Sequence, residues 1–265
     1  MVRTVSLRLN VVAAAVAVVL LMPFALLAIF VAGRWAPLRS FDLVVSDAVH
    51  VWAVNHPAVV DAMQVWSLVF SPMALRAGAL ILVVWLFRRH RSRAAWWVII
   101  AMTAGGVVAA LLKLVVERDR PSFLDPVARA AGYSFPSGHA TNAALTCAVF
   151  LAILLPYGRG RRWLWAAAVV VTAVTGLSRI GLGVHFTSDV VAGWLLGAAV
   201  VVAMVPVLDR RSTWVRTPRA HSVAGSETGD RPDRDLARRD DRHRSAGDEG
   251  AVERLAVHDR GRRQP

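Results

Sequence analysis

"VVAAAVAVVLLMPFALLAIFVA" (residues 11–32) contains no charged or hydrogen-bonding side chain. It is long enough to cross the hydrocarbon of a bilayer, which takes roughly 20 residues of helix. The apolar core of a cleaved signal peptide runs to about 7–15 residues, so the stretch predicts an uncleaved anchor. Working outward, the first run covers residues 10–33, and similar runs occur near residues 69–88, 94–116, 137–155, 163–181 and 188–208. In a chain of 265 residues that is 56% hydrophobic, this many runs argues against buried helices of a soluble protein. The expected fold is all-α: a polytopic membrane helical bundle of about six transmembrane helices over residues 1–208. The fourth and sixth runs carry polar residues in their first turns.

Residues 34–68 hold Trp35, Phe41, Trp52 and Trp66 among polar neighbours, the composition of short helices lying at a membrane interface. Arginine placement sets the expected orientation. "RRHRSR" (88–93), "GRGRR" (158–162) and "DRRS" (209–212) alternate with the other loops, and Arg3 and Arg8 lie near the start. The positive-inside rule then makes both termini cytoplasmic and turns residues 34–68, the loop after the third run and the turn after the fifth outward. The chain is expected in the cell membrane, multi-pass, with its polar motifs on the extracytoplasmic face. Residues 209–265 form a second unit, rich in Arg, Asp, Glu, Gly and Ser, that cannot bury enough apolar surface to order itself. It is read as a disordered cytoplasmic tail. Its mixed signs point to a solvated segment and not to a nucleic-acid arm. Residues 1–208 carry 17 basic and 7 acidic side chains, an excess that first serves topology and contacts with membrane lipids. With Cys147 the only cysteine, no internal disulfide or thiolate cluster can form.

Three polar groups stand at the outer ends of apolar runs. "KLVVERDRP" (113–121) supplies Lys113, the only lysine, with Arg120 and Pro121. Alone, Lys113 reads first as an ordinary lysine snorkelling at a helix end. "FPSGH" (135–139) is a helix entry with Ser137 as cap, and the free N–H groups of such a turn make an anion site. Gly138 and His139 share that turn. "SRIGLGVHFTSD" (178–189) brings Ser178, Arg179, His185 and Asp189. Four residues apart, His185 and Asp189 meet on one helix face. The carboxylate then holds one ring nitrogen and leaves the other free, the arrangement of an oriented nucleophile or base.

Jointly, three cations, helix-start N–H groups, two histidines and a carboxylate at one level suit phosphoryl transfer. One histidine attacks phosphorus, and the other protonates the departing oxygen and later deprotonates water. No carboxylate cluster points to a catalytic metal, and no cofactor is expected.

The blocks Lys-x6-Arg-Pro (113–121), Pro-Ser-Gly-His (136–139) and Ser-Arg-x5-His-x3-Asp (178–189) resemble the signature of the type 2 phosphatidic acid phosphatase family. The resemblance implies a metal-independent membrane phosphatase of helical fold. His185 would form a phosphohistidine, Asp189 would hold it, and His139 would be general acid and base. Lys113, Arg120, Ser137, Gly138 and Arg179 would cradle the phosphate. The family includes phosphatases of undecaprenyl diphosphate, phosphatidylglycerophosphate and phosphatidic acid, and soluble relatives that oxidise halides with vanadate. An outward site favours a lipid phosphate of the outer leaflet as partner, a polyprenyl diphosphate first. A transporter is disfavoured, because its polar groups belong near the bilayer midplane.

Overall fold

A computed structural model describes residues 2–155 and 160–210, with side chains described for 10–155 and 160–208. The expected tail beyond residue 210 and most of the turn at 156–160 therefore lie outside the described residues. Among the described residues eight helices follow in order: α1 (Val2–Ala32), α2 (Ala36–Val54), α3 (Pro57–Val69), α4 (Pro72–Arg88), α5 (Ser92–Val116), α6 (Gly138–Leu154), α7 (Arg161–Gly181) and α8 (Thr187–Arg210). There is no strand among the described residues, and the chain is an all-α, multi-pass membrane protein.

Five stretches of the described residues are long and apolar enough to cross a bilayer: Asn10–Ala32, Pro57–Arg88, Ser92–Val116, Arg161–Gly181 and Thr187–Leu208. The fourth expected run, residues 137–155, is α6, a shorter apolar helix of 17 residues, because it starts only after the Pro136–Ser137 turn. The second run also differs from expectation. It begins at Pro57, since α3 leads into α4 through a short break at Phe70–Ser71. Ser71 caps α4, its Oγ accepting from the Ala74 N–H at 3.3 Å, and Pro72 fits the first turn, where no N–H partner is required.

A belt of large apolar side chains faces outward, including Val12, Val19 and Ile29 on α1, Val107, Leu111 and Val115 on α5, and Trp163, Val169 and Leu177 on α7. Lipid covers such a surface without cost, whereas in water it would drive aggregation. The interior holds Leu82, Val83 and Leu86 of α4, Ala95, Val98 and Ala101 of α5, Leu145, Val149 and Ile153 of α6, and Val201 of α8. α8 packs mainly on α6 and α1.

The α6–α8 contact positions the polar end of the bundle. A Cβ at Gly193 would stand 2.9 Å from the Ser137 carbonyl oxygen, and one at Gly197 only 2.6 Å from that of Thr141. Two glycines one turn apart thus let the helices meet backbone to backbone, the small-residue packing of membrane helices. The Ser137 N–H donates to the Asp189 carbonyl at 3.0 Å, tying the entry of α6 to the first turn of α8.

Candidate active site

His185 lies in the turn between α7 and α8, not on the helix that carries Asp189. Gly183, at φ +65°, makes the reversal possible, since a left-handed backbone there strains any side chain. His185 and Asp189 nevertheless face each other, Nδ1 to Oδ2 at 3.5 Å, both buried. At that length the contact is loose and is not a formed hydrogen bond.

The second ring nitrogen is more informative. His185 Nε2 lies 2.9 Å from Nη1 of Arg120. A guanidinium only donates, so Nε2 accepts with its lone pair and the ring proton belongs on Nδ1, toward Asp189. The His185 pKa is lowered to about 4, first by burial and then by Arg120 and Arg179, while Asp189 pulls it upward. The ring is therefore neutral at neutral pH, with its lone pair directed at a cation.

The other expected residues gather around it. Arg120 also donates to the carbonyls of Val184 at 2.7 Å and Gly132 at 2.8 Å, which holds the 117–136 loop onto the His185 turn. Lys113 Nζ donates to the Tyr133 carbonyl at 2.6 Å, and Arg120 reaches the same oxygen at 3.3 Å. Arg179, on the last turn of α7, donates through Nη1 to Ser67 Oγ of α3, while its Nε is buried without a partner. His139 donates toward the Ser67 carbonyl and lies within electrostatic reach of Arg179 and His185.

Ser137 occupies the N-cap position of α6, as expected, but its hydroxyl caps nothing. Its Oγ is buried with no hydrogen-bond partner. Gly138 opens the helix, and its carbonyl accepts from Asn142 Nδ2 at 2.8 Å. Two orphaned buried donors, Ser137 Oγ and Arg179 Nε, thus belong to the group that the sequence singled out. Such atoms call for an acceptor. Among the described residues, no group of three His, Cys, Asp or Glu side chains is arranged to hold a metal ion.

Other site residues escaped the sequence reading. Arg118 donates to Asp189 Oδ1 at 2.6 Å, to Ser188 Oγ at 2.7 Å and to Asp42 Oδ2 at 2.8 Å. Asp42 is a fully buried carboxylate of α2 that also accepts from the Ser188 N–H at 3.0 Å. Arg118 sits inside the quoted "KLVVERDRP" block, and its neighbours there gave no sign of its partners. Asp42 and Ser67 carry no local signal, because their role is fixed by contacts 146 and 112 residues away.

The bundle thus carries at one end a neutral histidine, a carboxylate facing it and several cations. The chain belongs to the PAP2 superfamily, whose profile matches residues 94–213. It is 34% identical over 160 residues to Undecaprenyl-diphosphatase BcrC of Bacillus subtilis, covering 58% of this chain and 75% of that one. It is 41% identical over 91 residues to Phosphatidylglycerophosphatase B of the same organism, covering 33% of this chain but only 44% of that one. The crystal structure of a transmembrane PAP2-type phosphatidylglycerolphosphate phosphatase from Bacillus subtilis superposes with a TM-score of 0.67 at 25% identity. The match covers 76% of this chain and 98% of the other.

Proposed function

We propose that the chain is an integral membrane lipid phosphatase that works through a phosphohistidine on His185. The observation that carries this reading is the pair of orphaned buried donors, Ser137 Oγ and Arg179 Nε, in one group with a neutral His185 whose Nε2 lone pair meets Arg120. A phosphoryl group satisfies all of them. Its oxygens accept from Ser137, the Gly138 N–H, Arg179, Lys113 and Arg120, and its phosphorus meets Nε2. On binding, Arg120 passes from the imidazole to the phosphate oxygens, which frees the lone pair for attack.

In the first half-reaction the Nε2–phosphorus bond forms as the phosphorus–oxygen bond to the lipid breaks. His139, which takes up a proton once the bound phosphate dianion offsets Arg179 and Arg120 beside it, gives that proton to the departing oxygen. Asp189 stabilises the charge that grows on the His185 ring, and the tautomer with hydrogen on Nδ1 is the one this requires. In the second half-reaction His139 takes a proton from water, whose oxygen attacks phosphorus and returns His185 to its neutral form. Fixed cations and N–H donors stabilise the equatorial oxygens throughout, so the chemistry needs no metal.

The cell-membrane location is read further as placing the site outside and both termini inside, because the Arg88–Arg93 turn lies at the opposite helix ends from the motifs. The substrate is then a lipid phosphate of the outer leaflet. The likeness to an undecaprenyl-diphosphatase puts polyprenyl diphosphates first, with phosphatidic acid and phosphatidylglycerophosphate as further members of the class. The test is phosphate release by the purified protein from a panel of these lipids, in excess chelator, with and without vanadate. Metal-free turnover inhibited by vanadate supports the reading. Turnover that disappears with chelator and returns with magnesium overturns the metal-free mechanism, and no release from any lipid overturns the function.

A further inference from the structure

Arg76 stands one turn into α4, and nothing in the mechanism above uses it. Its Nε donates to Oδ1 of Asn142 at 3.0 Å. Asn142 is buried on α6, three residues after His139 and so about 4.5 Å further along the axis on nearly the same face. Arg76 also lines an apolar groove of about 520 Å³ between α4 and α5, together with Ala79, Val83, Met102, Gly106 and Ala110. A Cβ at Gly106 would lie 3.4 Å from an Arg76 terminal nitrogen, so the guanidinium rests against the α5 backbone there. Gly106, Ala110 and Lys113 are spaced i, i+4, i+7 and form one stripe of α5 leading from the groove to the cradle. Asn142 and His139 mark the same path on α6.

A cation placed in an apolar membrane groove is costly, and such residues face the interior or a polar ligand for that reason. Among the described residues, no carboxylate pairs with Arg76, whose side-chain contact is a neutral amide. Its planar fork suits the oxygens of a phosphate. A lipid monophosphate presents one phosphate, which the cradle binds. A lipid diphosphate presents a second, one bridging oxygen nearer the chain, on the side where the groove begins.

We infer that Arg76 binds the phosphate that stays on the lipid, and so selects lipid diphosphates over lipid monophosphates. This rests on the phosphatase reading above. When His185 Nε2 bonds to the terminal phosphorus, the bond from that phosphorus to the bridging oxygen breaks and its electron pair stays on the oxygen. That oxygen then belongs to the departing lipid monophosphate, and Arg76 offsets the charge that gathers there. Water later cleaves the phosphohistidine, so one diphosphate and one water give one lipid monophosphate and one phosphate.

The full chain in lipid nanodiscs tests this with a polyprenyl diphosphate and a polyprenyl monophosphate of equal chain length. R76Q should lose roughly 10–100-fold more kcat/KM on the diphosphate than on the monophosphate, the range for one charge-assisted hydrogen bond. R76K should recover part of the loss on the diphosphate alone. Equal losses on both substrates, or none on either, overturn the assignment. If the wild type hydrolyses neither lipid, the phosphatase reading falls, and Arg76 is decided by binding. A methylene-bridged polyprenyl bisphosphonate and the matching monophosphonate are then titrated against tryptophan fluorescence. Weakening by R76Q confined to the bisphosphonate sustains the proposal, and equal affinities in wild type and variant overturn it.

Discussion

Arg118 and Asp189 form an ion pair of 2.6 Å on the side of the carboxylate away from His185. Asp189 Oδ1 is taken by Arg118, and Oδ2 accepts from the Phe186 N–H at 3.0 Å while facing His185. The carboxylate is thus held from both sides before it meets the imidazole. Arg118 carries that hold to α2, because the same guanidinium binds the buried Asp42 at 2.8 Å.

Removing Arg118 leaves two fully buried carboxylates without their cation. Breaking a buried pair in this way costs about 3–5 kcal/mol, since the remaining charge keeps its desolvation penalty. R118Q should lower the unfolding temperature in detergent and reduce kcat, with a smaller change in KM. R118K should restore stability only in part, because one ammonium cannot serve Asp42, Asp189 and Ser188 with the geometry of a fork. A variant R118Q as stable and active as the wild type would contradict this account.

The helices were legible because a membrane span is a local property: long apolar runs fix it without reference to the rest of the chain. The three motif blocks were legible for a similar reason, since their spacings put chemistry at helix ends. What escaped was long-range. Asp42 lies in a segment whose tryptophans spoke for an interface, and only the folded chain brings it to Ser188. The Ser137 hydroxyl reads as a cap from sequence, yet it is buried and unpaired, while the Ser137 N–H is held by the Asp189 carbonyl of α8. A spacing of four reads as His185 and Asp189 sharing a helix face, but the turn through Gly183 leaves His185 ahead of α8.

Orientation is tested by cysteine labelling. Leu124 is wholly exposed on the loop after α5, and His90 lies in the turn between α4 and α5. In a C147A background, L124C should react with an impermeant thiol reagent on whole cells, and H90C should react only after lysis. The opposite pattern would place the site in the cytoplasm and remove the outer-leaflet substrate from consideration.

The pH profile tests the electrostatics of His185. Burial, Arg120 and Arg179 together hold its pKa at about 4, well below an ordinary histidine. Protonation blocks attack, so activity due to this group should survive acidification and fail only as pH falls toward about 4. R120Q removes one of the cations that lower the pKa, which should move this acid limb to higher pH. The measurement is kcat/KM against pH with an activated aryl phosphate, whose leaving group needs no proton from His139. An acid limb that stays in place in R120Q would show that Arg120 does not act on the imidazole.

The two histidines separate by the bond each one makes. His185 has its lone pair on Nε2, 2.9 Å from the guanidinium that yields to the incoming phosphate. H185A should therefore abolish covalent labelling by a radiolabelled phosphate ester. H139A removes the proton donor and should slow both half-reactions when the leaving group is poor. With an activated aryl phosphate, departure needs little protonation, so phosphorylation should continue and hydrolysis of the intermediate should limit turnover. H139A should then accumulate an acid-labile, alkali-stable phosphoenzyme. Loss of general acid–base help costs typically about 10²–10⁴-fold, which leaves measurable turnover. D189N should also form less of the intermediate, because the ring charge that develops on attack loses its counter-charge. Label that persists in H185A and vanishes in H139A would exchange the two roles.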